Sequence, residues 1–409
     1  MEREKITMNP IMQYFDAYYK TLQTGNYIDI SELFIANRHT VIPIRLFWNR
    51  YRLYKTFELE IQDYWINLEI AEVKNYKNRI AAIIIENAEY KYKHVSDDIN
   101  SIISDIEYYI EMEKIEGKWK ISFMDSNKDD YQLVKYKVSQ YMEADTYRVI
   151  NNSTDSEERE SVCINRVFDD MDNEIDCLKE ILPKVSEKQP KYDNLVKNRY
   201  VSSGKNTFSF DSNKGIDYAK KYAIYSQISD EEKLFYYAYN GGDCTNFISQ
   251  CVWAAYGGYI KDDIRETKKN ISKKRKMVYT GNLKNSWYGT QPEGGGTPYW
   301  ENVEQFFNYV TSPKEVGPRG KVYGSGKQAD FDLNNVAPGD IIQFWPDGKG
   351  KWYHSVFVTG IHEKSNAFHI FVCQHSMDVK NRPLIELLNW NTNKGQIRGI
   401  RFDSAVFSN

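Results

Sequence analysis

Cys244 stands in the stretch Tyr239–Gly258, YNGGDCTNFISQCVWAAYGG, directly after two glycines and an aspartate. From there Phe247, Ile248, Cys251, Val252 and Ala255 recur at helical spacing, which places the sulfur at the start of a helix that Gly257 and Gly258 end. Unpaired N–H groups and the helix dipole favour an anion at such a position, so the expectation is a thiolate stabilised relative to the thiol. A thiolate of that kind is a nucleophile, and a nucleophile needs a base.

Six histidines are on offer. His354 opens the run HSVFVTGI and His375 closes FVCQH. If residues 354–361 and 368–375 pair as an antiparallel hairpin, His354 lies opposite His375, with Cβ atoms about 5 Å apart. The chemistry this predicts is acyl transfer: Cys244 attacks an amide carbonyl, His354 carries the proton, and His375 fixes the imidazole. The oxyanion falls to the backbone N–H of Cys244 and to a second donor upstream, for which Asn240 is the candidate. Asp243 reads as a helix cap or orienting group, because a carboxylate cannot donate to an oxyanion. Gln374, Asp378 and Asn381 are alternatives to His375 as the third member. Zinc held by Cys244, His354 and His375 is a further reading, without an evident fourth ligand. Cys251 and Cys373 read as packing residues, His362 and His369 fall at the far end of the hairpin, and His39 and His94 read as ordinary loop or strand-end histidines.

The elements that must position these groups follow from periodicity. In front lie a helix over residues 9–23, a short helix near 30–36, strands over 57–70, 79–85 and 89–94, and a hairpin of 108–114 with 119–124 around Glu116-Gly117-Lys118. Helices followed by a meander of strands predict a small α+β domain with a curved antiparallel sheet over residues 1–145. Residues 146–210 change to a polar connector with a helix over 164–181; its acidic run Asp169-Asp170-Met171-Asp172 reads as a solvated helix face, not a calcium loop. From 211 the order is helix (216–223), nucleophile helix, a long Lys-, Asn- and Gly-rich region, helix (300–310), then strands over 337–345, 352–361 and 368–375. The basic cluster between Lys268 and Lys276 reads as a solvated helix.

Length and composition narrow the function class. The 409 residues predict two or three domains, and 41% hydrophobic content suffices for their cores. A net charge of −3 gives no pull toward nucleic acid or anionic membranes. Five widely spaced cysteines form neither a disulfide framework nor a zinc ribbon. The charged N-terminus and the lack of an apolar run of about 18 residues predict no membrane span and a cytoplasmic chain as it stands, or a secreted or wall-associated one if a leader was removed. No cofactor is called for, and oligomeric state is not encoded legibly.

NGGDCTNFISQCVWAAYGG, with YAKKYA upstream and PGDIIQFW, WYHSVFVTGI and QHSMDVKNRPL downstream in that order, resembles the bacterial putative amidase domain family. The resemblance covers about residues 211–388. Its relatives are papain-like and NlpC-type cysteine hydrolases. It implies a papain-like domain over 211–409, amide hydrolysis through a thioester, and catalytic roles for Cys244, His354 and His375. Peptidoglycan stem peptides are the substrate it suggests. Two rival functions use the same residues differently: an acyltransferase or peptide ligase in which an amine resolves the thioester, and an inactive binding protein. The element order over 1–145, with the GKWKI strand at 117–121, is similar to the nuclear-transport-factor-like cone fold, which implies a docking role for the front domain.

Overall fold

The computed structural model describes residues 8–93, 95, 99–148, 156–186, 206–237, 242–290, 295–346, 350–362, 369–391 and 395–408. His94 lies outside them. The chain is a mixed α+β protein that divides into two units, Met1–Glu180 and Ile181–Asn409.

In the first unit, helices α1 (Asn9–Thr24) and α2 (Arg38–Thr56) precede an antiparallel meander. Its strands are β1 (Ile61–Asn75), β2 (Arg79–Tyr92), β3 (Asn100–Ile115) and β4 (Lys118–Ser126), followed by α3 (Asp129–Arg148) and α4 (Ser156–Ser186). The β3–β4 turn is the expected one: Glu116 and Gly117 both have positive φ, at 50° and 84°, as a tight hairpin turn requires. The two short strands expected over 79–94 are one strand, with a register shift between Glu86 and Ala88. Glu86 is buried there and accepts hydrogen bonds from Tyr19 (2.6 Å) and Tyr108 (2.9 Å), which satisfies a carboxylate in the middle of an aromatic core. Helix α2 has no counterpart among the expected elements. Asn37 and Thr40 form its capping box, and its apolar face is made by Leu46, Phe47 and Leu53 among arginines. The acidic run of α4 is paired and not merely solvated: Arg45 reaches Asp169 at 3.4 Å, and Arg52 reaches Asp172 at 3.1 Å.

The second unit is built on a single antiparallel layer. Strands β7 (Ile341–Trp345), β8 (His354–Ile361), β9 (Ile370–Gln374), β10 (Val379–Pro383) and β11 (Gln396–Val406) run in the order β10-β9-β8-β7-β11. The short β5 (Thr207–Phe208) and the long β6 (Gly317–Lys327) also pair with β11. Helices α5 (Ser212–Tyr222) and α6 (Asp243–Ala255) pack on this layer, with α7 (Ile264–Ser272), α8 (Pro298–Glu301), α9 (Val303–Thr311) and α10 (Leu384–Asn391) around them. The helix expected over 300–310 is broken at Asn302, whose side chain accepts from the N–H groups of Glu304 and Gln305 and so caps α9. Neither β6 nor β11 was among the expected strands. β6 reads GPRGKVYGSGK, and its glycines and charges hide a strand that exists because β11 pairs with it over most of its length.

Candidate active site

Helix α6 opens immediately after Gly242, whose φ of 100° is open to glycine at little cost. All thirteen of its residues are buried, so the amphipathic pattern of the sequence describes two interior faces, one apolar and one polar. Phe247, Ile248, Cys251 and Val252 enter the hydrophobic core. The polar face is hydrogen-bonded along its length. Tyr218 donates to Gln250 (2.7 Å), Gln250 donates to Asn246 (3.0 Å), and Asn246 donates to Asp243 (2.7 Å). Trp300 also donates to Asn246 (2.8 Å), which holds α8 against this face.

Cys244 is the second residue of α6, so its own N–H has no partner within the helix. Its sulfur lies 3.8 Å from the Thr245 hydroxyl and close to the backbone of Ser355. The thiol therefore meets β8 one residue after His354, the first residue of that strand. Folding brings these two distant segments together. Asn240, the expected second oxyanion donor, lies outside the described residues.

The expected resting thiolate is not what the environment favours. Burial pushes the Cys244 thiol above its ordinary range, and the nearby Asp243 carboxylate pushes in the same direction; hydrogen bonds from Thr245 and Ser355 pull it down without winning. Desolvation is the largest of these influences on a residue that is 3% exposed. Alkylation of Cys244 by iodoacetamide, followed by mass spectrometry across a pH series, is accordingly expected to accelerate continuously from neutral into alkaline pH. A rate that stays flat down to mildly acidic pH would show a preformed thiolate instead.

His375 does not sit where the hairpin arithmetic put it. Phe357 pairs with Cys373 and Val358 with Val372, a register one residue away from the expected one. A slip of one residue exchanges the two faces of a strand. His375 follows the last residue of β9, and it and Ser355 both meet α6: Ser355 Oγ lies 3.2 Å from Thr245 Oγ1, and the His375 ring stacks on Phe247 at 4.1 Å. Its Nδ1 is 2.6 Å from Asp243 Oδ2 and its Nε2 is 2.8 Å from the Tyr222 carbonyl oxygen. A carbonyl only accepts, so Nε2 donates; with a carboxylate at Nδ1 the ring carries both protons. Burial alone would lower the His375 pKa, but Asp378, Asp243 and the Tyr222 carbonyl together raise it. Tyr222 is the last residue of α5, so an imidazolium here also answers the negative end of that helix.

The alternatives to His375 are each engaged differently. Asp378 accepts from Tyr237 (2.5 Å) and from the Tyr225 N–H (3.0 Å). Asn381 accepts from Thr359 at 3.1 Å. Gln374 donates to the Met377 carbonyl at 3.3 Å, while its Oε1 is buried without a hydrogen bond. Cys251 and Cys373 are fully buried in the core, and burial drives both thiols upward. Three residues that sequence reasoning passed over belong to the same neighbourhood: Thr245, Ser355 and Gln343, whose Nε2 donates to Ser355 Oγ at 3.0 Å. Thr245 and Ser355 are ordinary polar residues beside Cys244 and His354, and only the tertiary structure reveals their connection to each other and to Gln343.

These elements, from α5 to β11, coincide with the span of a known domain. Residues 209–400 match the family model of a putative amidase domain. The match takes in Asp243, Cys244, His354 and His375. A search of curated proteins returns no match. Among solved structures, the chain is similar to the crystal structure of a putative scytalone dehydratase from Novosphingobium aromaticivorans, with 13% identity over 31% of this chain and 85% of that one, at a TM-score of 0.23. Among the described residues, no helix is long and apolar enough to cross a membrane.

Proposed function

We propose that the C-terminal unit is a cysteine-dependent amidase of papain-like type, with Cys244 as nucleophile and His354 as proton carrier. The observation that supports it most is the contact of Thr245 Oγ1 with Ser355 Oγ at 3.2 Å, one residue on from Cys244 and from His354, which sets the start of α6 against the mouth of β8. The reading requires the His354 ring to come round that mouth to the side on which Ser355 meets α6.

The raised thiol pKa shapes the mechanism. The proton leaves sulfur as the attack proceeds, and His354 takes it as general base. A carbon–sulfur bond forms at the amide carbonyl, and the oxyanion is met by the Cys244 N–H at the helix start. Collapse breaks the carbon–nitrogen bond, and His354 returns the proton to the departing amine. Water then attacks the thioester while His354 takes one of its protons; the acid leaves and the thiol is restored. In this scheme His375 is a positioning residue. Clamped between Asp243 and the end of α5, it holds the first turn of α6 in place, and it does not orient His354.

The test uses a thiol-directed acylating probe and mass mapping, with purified stem peptides as the first substrates assayed. Labelling and turnover are expected to vanish in Cys244→Ala and to persist in Cys251→Ala. Labelling retained in Cys244→Ala would move the nucleophile elsewhere.

A further inference from the structure

Arg398 of β11 pairs with Gln343 of β7, and Gln343 pairs with Ser355 of β8, so the three stand side by side across three strands. Their side chains are joined. Arg398 Nε donates to Gln343 Oε1 (2.8 Å), Gln343 Nε2 donates to Ser355 Oγ (3.0 Å), and Ser355 meets Thr245 (3.2 Å) beside the Cys244 sulfur. A polar row thus begins at the thiol and ends at a cation. Two strand spacings of about 4.8 Å separate Arg398 from Ser355, which is the reach of about three extended residues.

The guanidinium is held flat between two rings, 3.4 Å from the Phe307 centroid and 3.8 Å from that of Trp352, a residue at the mouth of β8. Its side chain is 3% exposed, yet its charge is met by one carboxylate, that of Glu304, 48% exposed and 3.1 Å from Nη2. Among the described residues, Nη1 has no hydrogen-bond partner. A buried cation compensated only from the rim is costly, and burial brings the Arg398 pKa down to about 10 despite Glu304. A structural ion pair gains little from a partner that is half in water. A binding group gains from having its plane fixed, because a second carboxylate can then bond both terminal nitrogens.

We propose that Arg398 is a carboxylate-recognition subsite, selecting acidic peptides whose free carboxylate lies two or three residues from the scissile amide, with Glu304 as the rim group that this carboxylate displaces. The proposal rests on the Cys244 amidase reading for its place in catalysis, but not for binding. Two peptides that differ only in charge, N-acetylated and C-amidated Ala-Glu-Ala and Ala-Gln-Ala, provide the probe. Calorimetry with the full-length Cys244→Ala protein is expected to show the glutamate peptide binding about tenfold or more tightly, the scale of a hydrogen bond to a charged group. Glu304→Gln, at an exposed position, is expected to widen that gap by strengthening binding of the glutamate peptide alone. Arg398→Lys is expected to close it. Equal binding of the two peptides, or no response to Glu304→Gln, would overturn the subsite and leave the hydrolase reading untouched. Lost turnover with the binding preference intact would do the reverse.

Discussion

His354→Ala is expected to lower kcat by about 10³-fold, the range that general acid–base groups supply, while KM changes little. The reason lies in the state of the proposed nucleophile. Because burial pushes the Cys244 thiol above its ordinary range, the proposed scheme has the base act in the same step as bond formation. Removing an imidazole that merely stabilised a preformed thiolate would cost less and would shift alkylation in parallel. The expectation here is a split: turnover collapses, while alkylation at strongly alkaline pH, where solvent removes the proton, stays near the wild-type rate. Steady-state kinetics on His354→Ala, beside a pH series of alkylation, decide it. An unchanged kcat would remove His354 from the mechanism.

His375→Ala is expected to cost about 3–5 kcal/mol of stability, because it strands the Asp243 carboxylate at a helix start without its cation. The pH dependence has a definite sign. The folded-state pKa of His375 is raised, so its contribution is full below the ordinary histidine range and is lost as pH rises through the raised value. Thermal unfolding of the full chain followed by calorimetry should therefore show the transition that includes α6 falling as pH climbs above neutrality. His375→Gln, which keeps a donor but cannot be charged, should flatten that slope. A wild-type transition that is indifferent to pH across this window would mean that the ring is neutral and the pair is an ordinary hydrogen bond.

Much of the site was legible in the sequence because it depends on local rules. A glycine pair, an acidic residue and a cysteine before a 3.6-residue apolar repeat fix a helix start, and α6 begins at Asp243 as those rules require. His354 opens β8 as expected. Two local readings failed for reasons that are not local. The thiolate expected from the helix terminus gives way to desolvation, which depends on how deeply the rest of the unit covers Cys244. Helix α2 was missed because its arginines and tryptophan mask its apolar face, and the arginines find their partners in α4, more than a hundred residues on.

What the order of residues determined by itself is the set of chemical parts: a cysteine at a helix start, a histidine at a strand entry, and an aspartate between glycine and cysteine. What the tertiary structure alone decided is which parts meet. The register of β8 on β9 is one residue from the simple hairpin, and the turn that leaves β9 brings His375 onto α6 as the partner of Asp243. That choice cannot be read from the two strands alone, since a period of two makes neighbouring registers equally alternating. Its outcome is that Asp243 and the end of α5 share a cation inside the core, where an unpaired charge would be costly.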